Sequence, residues 1–279
     1  MQALSRRKLK AMVLDVNVSL SQRQYVREYL KKQKKISIIQ TAIFVIFVAL
    51  WEIGARAGFI DAFIFSSPSR VIESIYNMSK EGTLFYHFGI TLSETLLSFV
   101  FVNVFGTAIA ILLWWNHSVS KVLEPYLVVL NSLPKSALAP VFIVWLGNNM
   151  KTIIIAAISV SVFGTIITLY SDFKSVEEDK IKLIRTLGGS KREVLWKVVL
   201  PSNIPAMISL MKVNIGLSLV GVIIGEFLAA KAGLGYLIIY GSQVFKLDWV
   251  IMSIILLCIL ATVLYKGLGW LETRYGEHV

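Results

Sequence analysis

Residues 175–205 read SVEEDKIKLIRTLGGSKREVLWKVVLPSNIP, a polar and basic stretch set between two long apolar segments. Local signals make it two short helices. Ser175 is placed as an N-cap with Glu178 as its capping-box partner three residues on. Glu177, Glu178 and Asp179 fall in the first turn, where negative charge suits the helix dipole. Ile181, Leu183, Ile184 and Leu187 supply apolar surface, and Gly188 and Gly189 are able to take positive φ and stop the helix. Ser190 restarts it, with Glu193 completing a second capping box. Pro201 and Pro205 are expected to end the second helix. An ordered polar loop of this length between apolar segments is expected to grip something.

The flanking chain is built for lipid. Of 279 residues, 56% are hydrophobic and 16% charged, against about a quarter charged in soluble domains. Mean hydropathy is +0.71, and the apolar residues come in long blocks. A spanning helix needs roughly 20 mostly apolar residues. Six segments qualify: about 36–54, 91–115, 125–146, 152–170, 206–230 and 249–270. The third carries Pro134, Lys135 and Pro140, so it is expected to be kinked or broken. Trp114 and Trp115 mark an interfacial anchor.

The net charge of +11 does not indicate nucleic acid, because the cations are placed. Arg6, Arg7, Lys8, Lys10, Arg23, Arg27, Lys31, Lys32, Lys34 and Lys35 lie within residues 1–35, and Lys180, Lys182, Arg185, Lys191, Arg192 and Lys197 lie in the loop. With residues 1–35 inside, six spans put 116–124, 171–205 and 271–279 inside as well. The outer segments, about 55–90, 147–151 and 231–248, hold only Arg56, Arg70, Lys80, Lys151, Lys231 and Lys246. That asymmetry is the positive-inside pattern, and it makes the loop cytoplasmic. Residues 1–35 form a basic cytoplasmic segment, with Leu4, Leu9, Met12, Val16 and Leu20 spaced loosely for one helical face; it reads either as a helix lying on the inner membrane surface or on a partner, or as a disordered tail. The apolar run that follows is too long for a cleaved signal and lacks a small-residue cleavage site.

Residues 185–190, Arg-Thr-Leu-Gly-Gly-Ser, followed by Val198, Leu200-Pro201 and Ile204-Pro205, resemble the cytoplasmic "EAA loop" of permease subunits in binding-protein-dependent ABC importers. That pattern has Glu-Ala-Ala, a Gly four residues after the last Ala, and Ile-x-Leu-Pro ten residues beyond the Gly. Gly188 and the Val198-x-Leu200-Pro201 run match in type and spacing, while Lys182, Leu183 and Ile184 occupy the Glu-Ala-Ala positions. Two further stretches are similar to the nitrate/sulfonate/taurine branch: Asn131 to Pro140 continuing to Trp145-Leu146-Gly147, and Gly225-Glu226-Phe227-Leu228. Ser66-Ser67-Pro68-Ser69-Arg70-Val71 resembles the start of the family's second conserved helix and reads as a turn and a short helix resting at the outer face.

The resemblance implies an all-α membrane protein with six transmembrane helices in the type I importer (MetI-like) permease fold. Residues 36–279 would form the permease domain, with 171–205 as the coupling loop. It implies two permease copies around the passage, cytoplasmic ABC ATPase subunits as partners, and an extracytoplasmic substrate-binding protein. It places the chain in a bacterial inner membrane with both termini cytoplasmic. The coupling residues it singles out are Arg185, Thr186, Leu187, Gly188, Gly189, Ser190, Lys191 and Pro201. ATP and Mg would be bound by the ATPase. This chain has no Gly-Lys pair, so no P-loop motif. The implied substrate is a small organic or inorganic anion such as sulfonate, taurine or nitrate; some members of the branch move aromatic acids or vitamin precursors.

Intramembrane charges mark the candidate pathway residues. Lys135, with Asn131, Pro134 and Pro140, either lines the passage and favours an anion or pairs with Glu226 or Glu94 to hold helices together. Glu226 either helps form an outer gate or is a capped or paired carboxylate. Lys212 is close enough to the inner end of its span to snorkel to the headgroups, and Glu52 reads as interfacial. Cys258 lies in an apolar run and reads as a small core residue, leaving no disulfide. His87, His117 and His278 are scattered and assemble no metal site. An ion-coupled secondary transporter would show inverted repeats and matching broken helices. A lipid-modifying enzyme would show a cluster of acids or histidines at one interface. Neither pattern is present.

Overall fold

The structure is a computed structural model and describes residues 19–276. The proposed helical face over Leu4, Leu9, Met12 and Val16 lies outside the described residues. The chain divides into two compact units, residues 1–69 and 70–279.

In the first unit, helix α1 (Leu20–Arg56) opens on Ser19, whose Oγ accepts the Gln22 amide hydrogen. Composition alone starts the apolar part near residue 36. The helix instead runs unbroken from Leu20, because residues 20–35 contain no Gly or Pro and are rich in Leu, Gln, Arg and Lys, all good helix formers. The lysine-rich stretch and the apolar span are one rod. A four-residue turn, α2 (Ala62–Phe65), is capped by Asp61. Glu52 then accepts the backbone N–H and the hydroxyl of Ser69, each at 3.0 Å, and the Arg56 guanidinium. This carboxylate pins the chain reversal that leads to α3 (Pro68–Lys80).

The second unit continues with α4 (Thr83–Trp115), α5 (His117–Ser132), α6 (Lys135–Leu146), α7 (Met150–Lys174), α8 (Glu178–Thr186), α9 (Lys191–Val194), α10 (Leu200–Ala229), α11 (Leu234–Gln243) and α12 (Leu247–Gly276). Five described helices are long and apolar enough to cross a membrane, and α5 with α6, bent by 95° at their junction, brings the number to six when the pair is counted as one broken span. The break falls at Leu133, which Pro134 forces out of helical geometry (ψ 139°). Pro125 and Pro140 sit inside their helices without breaking them. Helix α11 is an addition to the elements expected from the sequence.

Helix α7 is the centre of the unit and packs on both α4 and α10. Lipid is as apolar as leucine, so membrane helices associate through close packing and polar contacts rather than by hydrophobic exclusion. The buried faces follow that rule: Thr91, Thr95, Ser98 and Gly106 on α4, Ala156, Ala157, Ser161 and Thr165 on α7, and Asn214, Ser218, Gly221 and Gly225 on α10. A Cβ on Gly221 would meet the Ala157 backbone at 2.6 Å. Asn214 ties all three helices, donating to Asn103 Oδ1 at 3.0 Å and accepting from Thr165 Oγ1 at 3.0 Å. Cys258, expected in the core, is exposed on α12.

The loop departs from its local signals at three points. Ser175 does not start a helix: α7 runs to Lys174, Ser175 closes it by donating to Asp172 O, and Glu177 precedes α8. Pro201 and Pro205 do not end the second helix. A π turn (Leu195–Val199) joins α9 to α10, with Leu200 N–H reaching back five residues to Leu195 O. Pro201 then falls in the first turn of α10, where its missing N–H has little intrahelical role. Gly188 takes φ +81° as expected. Gly189 is required for a different reason, since a Cβ there would meet Ile184 O at 2.7 Å.

Candidate functional site

Besides the Asn214 link, two opposite ends of the bundle of the second unit carry polar clusters. At the end formed by the loop, Ser190 and Glu193 complete a capping box. Val194, Leu195 and Val199 are buried in a cluster with Ala110, Leu169 and Phe173, and Ile181 and Ile184 pack against it. Lys191 donates to Trp115 O and lies over the rings of Trp114 and Trp115. The loop is therefore held on the end of α4 through its own residues. Trp196 and Ile204 are exposed farther along the loop, and at its tip two apolar side chains are left outside this packing: Leu183 is 60% exposed and Leu187 76%. They lie one turn apart beside exposed Arg185.

At the other end, the start of α11 is seized by side chains from two long helices. The first N–H groups of a helix have no partner within it. Here Gly233 N–H donates to His87 Nδ1 at 3.0 Å, Leu234 N–H to Thr91 Oγ1 at 2.8 Å, and Gly235 N–H to Glu226 Oε2 at 2.5 Å. Thr91 Oγ1 in turn donates to Glu226 Oε1 at 2.6 Å. A carboxylate at a helix N-terminus also complements the helix dipole. The approach depends on two glycines. A Cβ on Gly233 (φ +118°) would collide with Glu226 Oε1, and one on Gly235 would sit 2.7 Å from Oε2. Beside this knot, the Glu94 carboxyl faces Glu226.

Residues 102–275 match the family described as "Binding-protein-dependent transport system inner membrane component". The chain belongs to this family. The match runs from within α4 through the loop to the last helix, so the loop lies inside the family's own boundaries. The permease is 28% identical over 196 residues to the formylaminopyrimidine transport permease protein ThiX of Halalkalibacterium halodurans, covering 70% of this chain and 78% of that one. It is 25% identical over 251 residues to the taurine transport system permease protein TauC of Escherichia coli, covering 88% and 90%. Among solved structures, it is similar to a chain of the MetNI methionine ABC transporter in inward-facing conformations, with TM-score 0.57 and 19% identity over 66% of this chain and 92% of that one. That level of identity shows the fold alone, and the fold is the all-helical importer-permease fold expected from the sequence.

Within this frame the sequence candidates separate. Arg185, Thr186, Leu187, Gly188, Gly189 and Ser190 form the tip of the loop, with Thr186 Oγ1 donating to Lys182 O. Lys191 faces its own chain, and Pro201 lies beyond the π turn in α10. Lys135 pairs with neither Glu226 nor Glu94: its Nζ donates to Asn131 O and closes the end of α5 across the Pro134 break. Asn131 Oδ1 lies against Gly164 of α7. Pro140 is an exposed position within α6. Glu226 is brought together with His87, Thr91 and Gly233–Gly235, as a capping carboxylate. Lys212 does not reach for headgroups; it pairs with Glu272 of α12. His87, Thr91, Gly233 and Gly235 are site residues that the sequence patterns do not single out. The signal available is the four-residue spacing of His87 and Thr91, which stacks both on one helix face.

Proposed function

We propose that this permease subunit forms, with a second copy, the translocation pathway of an ATP-driven importer, and that its loop docks on a separate cytoplasmic ABC ATPase subunit that binds ATP and Mg. The pair Leu183 and Leu187, exposed at the tip of a loop anchored on its own chain by Val194, Leu195 and Val199, carries this reading. Apolar side chains at the end of a stiff polar element are what a partner's groove would cover. A rigid element also transmits displacement where a floppy one would absorb it. ATP-driven movement of the ATPase would then bias the passage between inward-open and outward-facing states through differential contacts. Both termini and the loop are cytoplasmic on this reading, supported by the distribution of Lys and Arg. An extracytoplasmic binding protein delivers substrate to the opposite end. The substrate class supported by the relatives' names is a small sulfonate such as taurine; nitrate rests on the sequence resemblance alone, and a pyrimidine-type vitamin precursor is the second reading, from the ThiX relationship.

Co-purification tests the docking. The tagged permease co-expressed with its ATPase should retain that subunit through detergent extraction. Leu187→Asp and Leu183→Asp should release it while leaving the permease's thermal unfolding unchanged, since both side chains are exposed. An ATPase retained equally by both variants would overturn the assignment of the loop tip.

A further inference from the structure

We propose that a recess beside the Glu226 knot is a binding site for a small zwitterion, taking an ammonium group at Glu94 and an acidic group at Lys231. The recess has a volume of about 230 Å3 and lies between α4, the turn joining α6 to α7, and the segment that follows α10. Ile90, Ile153 and Ala230 give it apolar walls. Glu94 contributes to its lining although the residue is only 2% exposed, and Glu94 Oε2 has no hydrogen-bond partner among the described residues. A buried carboxyl oxygen without a donor is costly, and such groups ordinarily find one.

The Glu94 carboxyl meets that of Glu226 on one side, and most of the other polar groups around it are already engaged. Glu226 accepts from Thr91 and Gly235 and shares a hydrogen bond with Glu94, which leaves Glu94 Oε2 as the unpartnered oxygen, and His87 Nδ1 accepts from Gly233. Asn149 is committed at both ends of its amide: Oδ1 accepts from Lys151 N and Thr152 N, and Nδ2 donates to Leu146 O. Thr152 Oγ1 donates to Gly147 O. The remaining polar groups are at the rim. Lys231 is exposed and makes no ion pair among the described residues, and the Asn148 amide is exposed beside it. An acid at the floor, a cation at the lip and apolar walls between them are the complement of a short molecule with an ammonium at one end and an acid at the other. The recess lies at the end of the bundle opposite the loop. Its role as a substrate station rests on the importer reading; its capacity to bind does not.

Protection from labelling tests it on the full-length chain in lipid nanodiscs. With Cys258→Ser removing the native thiol and Asn148→Cys reporting from the recess, the rate of maleimide modification is measured with taurine, ethanesulfonate or ethylamine at equal concentration. Taurine should slow modification several-fold, and the two single-ended probes should not. Glu94→Gln and Lys231→Gln should each abolish the protection; Lys231 is exposed, so its variant leaves the packing intact. Absence of protection by taurine, equal protection by ethanesulfonate, or protection that persists in Glu94→Gln would overturn the site. The assay needs neither ATP nor ATPase, so failure of loop docking with protection intact would sink the importer reading alone.

Discussion

Thr91 Oγ1 donates to Glu226 Oε1 at 2.6 Å, joining α4 to α10 across 135 positions of sequence. The same threonine oxygen accepts the Leu234 amide hydrogen, so one hydroxyl links three helices. Glu226→Ala would strand the Gly235 amide and the Thr91 hydroxyl in a buried site. The loss should be about 1–3 kcal/mol for each group left unsatisfied. Glu226→Gln keeps one carbonyl acceptor and should lose less. Thermal unfolding in detergent, followed by tryptophan fluorescence, distinguishes the two; equal melting of wild type and the Ala variant would refute the capping role.

Gly233 is the residue that lets the carboxylate approach. Gly233→Ala combines a backbone conformation unfavourable to any side chain with a collision at Glu226. Strain of this kind costs about 1–3 kcal/mol before the collision is counted. The variant should give a reduced monodisperse fraction on size exclusion. Gly216→Ala, where nothing lies within 4 Å of the added Cβ, should be neutral or mildly stabilising.

The Asn103–Asn214 contact is a polar link inside a membrane bundle. Such links couple by about 0.6 kcal/mol and at most about 1.7 kcal/mol. A double-mutant cycle with Asn103→Leu and Asn214→Leu should return a coupling in that range. Asn214→Leu alone should cost more than Asn103→Leu, because the contact with Thr165 is lost as well, although Thr165 keeps its bond to Ser161 O.

Lys191→Met removes the contact to Trp115 O and the two indole faces. A cation over an exposed ring contributes about 0.5–1 kcal/mol, so the fold should survive. Amide exchange should accelerate over residues 178–190 with little change in α7. Unchanged exchange in the loop would show that the apolar cluster alone holds it.

Features of this chain are legible in its sequence to the extent that their interacting residues are neighbours. The Ser190–Glu193 box and the Gly188 stop declare themselves because both halves of each signal lie within a few residues. Ser175 carries the same box pattern and yet starts nothing, because a serine after a long apolar helix can equally close the helix before it. Pro201 and Pro205 look like stops under a rule framed for helix interiors; a first-turn position and a π turn remove the conflict. The long apolar helices are visible from composition, while α11, ten residues long, is too short to stand out. The knot at Glu226 is half visible: a capped carboxylate is one of the two readings its position allows, but its partners on α4 and at Gly233–Gly235 are brought to it by tertiary folding. Lys135 has two distant carboxylates as candidate partners and takes a carbonyl one turn away.

The five residues from Leu195 to Val199 act as a phase setter for everything beyond them. Each residue turns an α-helix by about 100°, and a π turn accommodates one more residue than its α counterpart. Trimming a single residue there would swing the remainder of α10 about its axis, carrying Asn214 off its two neighbours and Glu226 away from the glycines that receive it. The angular setting of the far end of the bundle is thus written into a short overwide coil within the loop.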